Sequence, residues 1–527
     1  MSVKSLLFVS LLSVFALLCA CGEKTGLKEG DADSSAVEGL RVPDDFLPDT
    51  TFSSVDTVDF TVENAIEGDY SLKDLIDAYA AFDGKCIFRG TPMRDASFGG
   101  SISGTPTQID VAWRVETENG PDMSNTKHGS WGGGSGWTGQ PVYVHWTPED
   151  MDAFRKSNHK VTNDFSDEEI IVGSLCGKVY FINYQTGKLS REPMDAGNPV
   201  KGSVSLDPNY KNLYVGQGIN STQPFGCMVF DLLKGERTQF VGSDAKAQRA
   251  WNAFDSNAIV AGGYLFWCGE NGSIYKYQRS QGGLTRVAVL RYRVGGAAPG
   301  VENSLCVYRN YGYFADNMGN VLCVNLNTMR PVWYYNNHDD TDGTIVCCPE
   351  NGIPYVYTAC EVDKQGHDGN CHFVKLNGLT GEKVWETKIP CCRVDTNGKT
   401  LDGGMYSTPL VGMGDCAGML FFNICRNKAG DHPGELTAIS TKDGNVLWTV
   451  GYEQFAWSSP VAFVNDAGEM YVFTGDASGT VWLVKGLTGE VVCKRQVGNN
   501  FESSPVVVGN TAVMGSRGNG IYKFVIK

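Results

Sequence analysis

The sequence predicts an all-β chain folded as a β-propeller, eight blades around one axis, closed by an N-terminal strand. Three observations predict it. A ten-residue unit recurs through the last two thirds of the chain. A tryptophan stands fourteen residues after the start of several copies. The last copy is cut short by the C-terminus, while a matching strand lies upstream of the first.

Each unit opens on a turn, runs through alternating apolar residues and closes on Thr-Gly or Asp-Gly. Gly177 to Gly187, Gly272 to Gly282, Gly434 to Gly444 and Gly479 to Gly489 are regular copies. Cys371 to Gly381 replaces the first glycine, and Gly319 to Met329 the last. Phe225 to Gly235 is weaker, and a truncated copy begins near Asn519. The copies open at 177, 225, 272, 319, 371, 434, 479 and 519. A repeat of about 40–50 residues carrying strand signals alone marks a propeller, one small sheet per repeat. Such a sheet buries its faces only by stacking on its neighbours.

The tryptophans show how the ring closes. Trp333, Trp385 and Trp448 occupy the position fourteen residues after an opening, and Cys493 takes it in the next repeat. In the last repeat that position falls beyond Lys527. The upstream strand Ile109-Asp110-Val111-Ala112-Trp113-Arg114-Val115 supplies the missing element, with Trp113 in the vacant place. Closure removes two open sheet edges that would otherwise invite association.

Further motifs precede the strands: Ser407-Thr408-Pro409, Ser458-Ser459-Pro460 and Ser503-Ser504-Pro505, with Leu379-Thr380-Gly381-Glu382-Lys383-Val384-Trp385 and Asp443-Gly444-Asn445-Val446-Leu447-Trp448. Over about residues 86–527 the chain resembles the pyrroloquinoline-quinone-type repeat propellers. The resemblance implies a propeller of quinoprotein type. That family holds quinone-dependent dehydrogenases and cofactor-free scaffolds such as the BamB-like lipoproteins, and fold alone does not choose between them. WD repeats are disfavoured, because no Gly-His…Trp-Asp pairs recur.

Residues 1–20 read as a lipoprotein signal peptide: Lys4, an apolar run from Leu6 to Leu18, then Leu18-Cys19-Ala20-Cys21. Cys21 is the expected lipidation site, and lipid is the only expected membrane contact. Residues 21–70 are polar and acidic and read as a disordered tether. Residues 71–106 read as a lead-in with a short amphipathic helix, Ser71 as its N-cap. The propeller is expected over 107–527. Thr147 and Pro148 resemble the N-cap and first position of a short helix inserted in the first blade.

The net charge is −15 and the pI about 5.0, which argues against nucleic acid as a partner. Of 17 cysteines, those beyond Cys21 lie mostly in expected strands and read as packing residues. Cys360 and Cys371, flanking a long hairpin loop, are the candidate bridge.

Residues just before each inner strand are expected at the mouth of the central channel. Aligning on Pro141, Pro409, Pro460 and Pro505 places Thr138 (beside Trp137), Tyr406, Trp457 and Glu502 there. Trp251 takes a similar place before the third blade. Two readings stand for these aromatics: a stacking surface for a planar or sugar ligand, or a plug whose rings pack on each other. Trp131 and Trp137 lie in a glycine-rich stretch, Gly129 to Trp137, that either shapes the mouth or lets the closing strand pass.

In the quinone-dependent dehydrogenases an adjacent-cysteine disulfide stacks on the cofactor, so Cys391 and Cys392 are weak cofactor candidates by resemblance. Cys347 and Cys348 are adjacent within an inner strand, where their side chains point to opposite faces. Asp339-Asp340-Thr341-Asp342-Gly343 lacks the downstream Glu of a calcium loop and reads as a solvated acidic loop. The histidines are scattered, with no His-x-x-x-His pair. No metal site and no catalytic set is predicted.

The expected protein is therefore an exported, lipid-anchored propeller at the outer membrane, BamB-like and monomeric, presenting loops or blade edges to envelope proteins. No cofactor is expected. The alternatives are a periplasmic quinone-dependent dehydrogenase, with pyrroloquinoline quinone and Ca²⁺, and a surface carbohydrate-binding protein.

Overall fold

The computed structural model describes residues 47–64, 78–120, 122–123, 129–130, 132–242, 244–396 and 399–527. The expected signal peptide with Cys21, most of the tether, the helix residues Ser71 to Asp77 and Trp131 lie outside the described residues.

Eight antiparallel sheets of the propeller kind follow one another, the first with inner strand Val142–His145 and the last with inner strand Val506–Val508. The eighth blade takes its outer strand, Ile109–Glu116, from the N-terminal side. Ile109 lies opposite Ile526, Trp113 opposite Lys523 and Glu116 opposite Gly520. Second strands such as Met419–Cys425 and Met470–Gly475 are buried along their whole length, as expected for a sheet covered on both faces.

The paired tryptophan and glycine signals have one cause. Each tryptophan on an outer strand lies on the turn glycine of the next blade and bonds a carbonyl in that turn. Trp333 Nε1 donates to Gly378 O (2.8 Å), Trp385 to Thr441 O (3.0 Å) and Trp448 to Gly486 O (2.9 Å). Trp113 does the same across the closure, donating to Tyr184 O at 2.9 Å. A Cβ on Gly187, Gly381, Gly444 or Gly489 would stand 2.9 Å or less from the ring beside it, and their φ angles are +72° to +77°. Only glycine meets both demands. The closing core joins Trp113 and Val115 to Tyr143, Ile170 and Tyr180 of blade one and to Val506, Val513 and Ile521 of blade eight.

The helix inserted in blade one spans Pro148–Ser157, with Thr147 Oγ1 accepting from Asp150 N. It buries Met151 and Phe154. Phe154 lies between Trp146 and Arg191, whose guanidinium is 4.0 Å from its ring centre and pairs with buried Glu169 at 2.8 Å.

The segment expected as a lead-in is the hub of the wheel. Before it, Val58–Glu63, in the stretch expected as a disordered tether, instead adds a fifth strand outside blade three, because its alternating apolar residues find an open sheet edge there. Gly84–Lys85 pairs with the inner strand of blade one, and Gly100–Ile102 with that of blade seven. Between them the chain bonds every remaining blade. Cys86 O accepts from Leu206 N, Pro92 O from Val307 N and Met93 O from Cys347 N. Phe88 N donates to Asn257 Oδ1 at 3.1 Å. Arg89 donates to Pro460 O (2.8 Å) and Pro409 O (3.1 Å), and Ser101 N to Gly509 O (2.8 Å). Arg89 and Arg94 are fully buried.

All fifteen described cysteines are free thiols, the candidate pair Cys360 and Cys371 included. Cys360 Sγ instead accepts from His372 N at 3.3 Å. Cys371, fully buried, packs with Phe373 and Phe422 in the blade-five core as a small apolar residue.

Candidate functional site

One position repeats in every blade: the residue four before the inner strand. In blade order these are Thr138, Lys201, Asp255, Glu302, Asp342, Tyr406, Trp457 and Glu502. Two residues later comes a polar link that ties blade to blade. Gln140 N donates to Ser203 Oγ, Asn257 N to Ser304 Oγ, and Ser304 N to Thr344 Oγ1. Thr408 N donates to Ser459 Oγ, and Ser459 N to Ser504 Oγ. These bonds satisfy amides at the ring's inner rim, where no sheet partner exists. They explain the Ser-Ser-Pro and Ser-Thr-Pro motifs and fix the side chains just before them at the axis.

The ring has two halves. On one side Trp137, Tyr406 and Trp457 pack on each other. Tyr406 and Trp457 stack with centroids 4.7 Å apart at 28°, and Trp137 meets Trp457 edge-on at 5.3 Å. Tyr406 is buried in this stack, while Trp137 and Trp457 are half-buried. Glu502 is 1 % exposed, accepting from Arg517 (3.1 Å) and Asn500 (2.7 Å) through Oε1 and from Trp137 N (3.4 Å) through Oε2. Trp251 is not part of the ring: it packs on Phe225 at 5.1 Å, and the blade-three position belongs to Asp255.

The other half is acidic. Asp255, Glu302 and Asp342 come from consecutive blades, joined by Glu270, Asp340 and Glu361 from nearby loops and strand ends. They form two trios, Asp255/Glu270/Glu302 and Asp340/Asp342/Glu361, each with one carboxylate oxygen per residue within 4.8 Å of the others. Asp255, Glu270 and Glu361 are buried, and Glu302, Asp340 and Asp342 half-buried. Asp255 Oδ1, Glu270 Oε1, Asp340 Oδ1 and Glu361 Oε1 accept no hydrogen bond.

The solvated-loop expectation for residues 339–343 is thus corrected. Asp339 is fully buried and accepts from the amides of Asp363, Lys364 and Gln365, while Asp340 and Asp342 turn into the chamber. The run looked solvated because its partners lie on other loops.

Two cations offset part of this charge. Lys201 pairs with Asp255, lies 3.5 Å from Glu302 Oε2 and 4.1 Å over the Trp137 ring. Burial lowers the Lys201 pKa, but Asp255, Glu302 and Glu270 outweigh it and hold it above the ordinary value. Lys364 reaches Asp340 at 3.2 Å. Burial, with the charge of neighbouring carboxylates, pushes Glu270, Asp342 and Glu361 well up. Asp340 is pushed up to about 7, burial outweighing the pull of Lys364.

The free space between the halves is about 20 Å³, lined also by Phe88 of the hub. That is room for one water or one ion, where pockets for organic ligands run to about 300–1,000 Å³. A quinone does not fit. Cys391 and Cys392 lie off the axis in the outer strand of blade five; Cys391 is in the blade core, and Cys392 Sγ bonds Asp368 Oδ1 at 3.2 Å. A hard divalent cation such as Ca²⁺ does fit the donors, an all-oxygen set with several unclaimed lone pairs.

Arg89 holds the hub beneath this chamber. Arg89→Ala is expected to cost about 2–3 kcal/mol: two carbonyls lose donors and a void opens, while relief of a buried charge offsets part of the loss. Urea unfolding against Arg89→Lys, which keeps a donor, measures it.

Sequence comparison gives a match over residues 432–527 to the family described as outer membrane protein assembly factor BamB. No curated protein matches. Among solved structures, quinohemoprotein alcohol dehydrogenase from Comamonas testosteroni is similar, with TM-score 0.58 and 13% identity over 87% of this chain and 82% of that one. The enzyme ADHIIG of Pseudomonas putida HK5 gives 0.55 and 12%, over 88% and 82%. BamB from Moraxella catarrhalis gives 0.48 and 13%, over 80% and 98%. At such identities the two dehydrogenases show a shared fold and leave the chemistry open. The chain folds as an eight-bladed β-propeller of the quinoprotein type, and its residues 432–527 are similar to BamB.

Proposed function

We propose that this propeller is a binding scaffold of the cell envelope, held to a membrane by lipid on Cys21, and that it recognises partners without transforming a substrate. The filled axis is the observation that carries the reading. The hub segment and the aromatic stack leave space at the axis for a single ion. The C-terminal match adds a role to test, since its description speaks of outer-membrane protein assembly. The carbohydrate alternative loses ground, because Trp457 is stacked against Tyr406 and edge-on to Trp137.

Within this reading the acidic half-ring holds one divalent cation of the Ca²⁺ kind. Asp340, Asp342 and Glu361, or Asp255, Glu270 and Glu302, are its ligands. The carboxylate oxygens that accept no hydrogen bond support this, for an ion would give them a partner. Its contribution is structural: it fixes blades three to five to one another.

The experiment is affinity capture of the full-length chain from detergent-solubilised membranes, beside a Cys21→Ser variant. The expected result is membrane association lost in the variant and recovery of envelope proteins with the unmodified chain. A variant still bound to membranes, or no envelope protein recovered, would overturn the proposal.

A further inference from the structure

Away from the axis, the seam between blades four and five gathers two histidines and a glutamate that are far apart in the sequence. His338 lies two residues beyond the blade-four outer strand Arg330–Asn336. His372 sits on the blade-five strand Asp368–Asn377, and Glu386 on its outer neighbour Lys383–Cys392. The register places His372 opposite Lys388 and Val374 opposite Glu386. His372 and Glu386 are therefore diagonal neighbours on one face of the sheet.

The two imidazoles face each other with centroids 4.1 Å apart and planes tilted by 35°. His372 Nδ1 is 2.5 Å from Glu386 Oε1, and His338 Nε2 is 3.9 Å from the same oxygen. One donor atom from each residue lies within 4.8 Å of the others. The His372 and Glu386 side chains are 8 % and 12 % exposed, while that of His338 is 46 % exposed and leaves an open approach. Lys383 bonds the second oxygen of Glu386 at 2.6 Å, which leaves Oε1 to the histidines. Lys388, 4.0 Å from Oε1, is exposed and free to swing outward.

A hydrogen-bonded His372–Glu386 pair alone does not account for His338. Its ring makes no hydrogen bond among the described residues, yet it stands at contact distance from a second imidazole. Two imidazole nitrogens and one carboxylate oxygen converging from three strands or loops, with one side open, form a ligand set for a borderline transition metal. It is unlike the all-oxygen chamber at the axis, which suits a hard cation.

The geometry points to a divalent transition-metal site, of the Zn²⁺ class, formed by His338, His372 and Glu386 and stapling blade four to blade five. A small movement of the His338 loop brings the third ligand in. The fourth position stays open to water.

The test uses the full-length chain, freed of metal and then saturated with Ca²⁺ so that the axis is occupied. Zn²⁺ is titrated calorimetrically, and Co²⁺ is added separately to read the visible bands of a tetrahedral site. The expected result is one tight Zn²⁺ per chain, a raised melting temperature and Co²⁺ bands. His338→Ala, an exposed change that leaves the sheets intact, is expected to weaken binding at least about a hundredfold, more than loss of an outer partner does. His372→Ala is expected to abolish the Co²⁺ bands. Absence of Zn²⁺ binding would overturn the site, and so would binding unchanged by His338→Ala, which would assign the ion to the free thiols.

Discussion

Trp113→Ala is expected to lower the unfolding free energy by about 3–5 kcal/mol, the range for truncating a buried tryptophan. Trp113 is 9 % exposed, bonds Tyr184 O and lies flat on Gly187. It is the same contact that Trp333, Trp385 and Trp448 make, but here it joins the two ends of the ring. Losing it removes packing from both blades and loosens the strand that covers Gly520–Ile526. The exposed edge that follows favours self-association. Trp385→Ala, at a half-buried and non-terminal seam, is expected to cost less and leave the protein monomeric. Denaturant unfolding with unchanged slope measures the first effect, and light scattering the second. A cost below about 1 kcal/mol would mean that Ile109–Glu116 does not close the ring.

The metal-free protein is expected to lose stability as pH rises from about 4 to about 7, and Ca²⁺ to remove most of that loss. The axial carboxyls Glu270, Asp340, Asp342 and Glu361 have folded pKa values raised by burial, Asp340 to about 7. An unfolded carboxyl titrates near about 4. Such a group keeps its proton in the fold where the open chain gives it up. Its stabilisation is full below about pH 4 and gone once the pH passes the folded value. Carboxyls shifted the other way do not cancel the trend. Glu386 is lowered to about 2, burial being outweighed by Lys383 and His372. Its stabilisation is already complete above about pH 4 and is lost only in more acid solution. A bound Ca²⁺ holds the axial carboxylates ionised and replaces the protons. Thermal melts near about pH 5 and about pH 8, with chelator and with Ca²⁺, separate the two states. A metal-free protein equally stable at both would contradict the chamber's geometry.

Repetition makes much of the ring legible in the sequence. The spacing of Trp333, Trp385 and Trp448 places Trp113 in the last blade. A proline three residues on marks the strand start after Thr138, Tyr406, Trp457 and Glu502 and places them at the axis. Lys201, Asp255, Glu302 and Asp342 occupy the same position without that proline, and their signal is the Ser, Asn or Thr two residues on, which carries the blade-to-blade hydrogen bond. Trp251 precedes the third blade but lies four residues short of the ring position at Asp255. The hub left no periodic trace: Arg89 reaches Pro460 across 371 residues, and nothing local announces it. Glu270, Asp340 and Glu361 likewise meet only because blades three to five converge, and His338 and His372 only because two blades share a seam.

The chain's own hub and ring occupy the axis, leaving room for an ion and not for a quinone. Adding pyrroloquinoline quinone and Ca²⁺ to purified protein, then following melting temperature, quinone absorbance after gel filtration and dye-linked alcohol oxidation, tests it most directly. The expected result is a Ca²⁺-dependent rise in melting temperature, no retained quinone and no oxidation. Stoichiometric quinone that stays with the protein and supports turnover would contradict it, because Trp137, Tyr406, Trp457 and Phe88 would have to part to admit the ring.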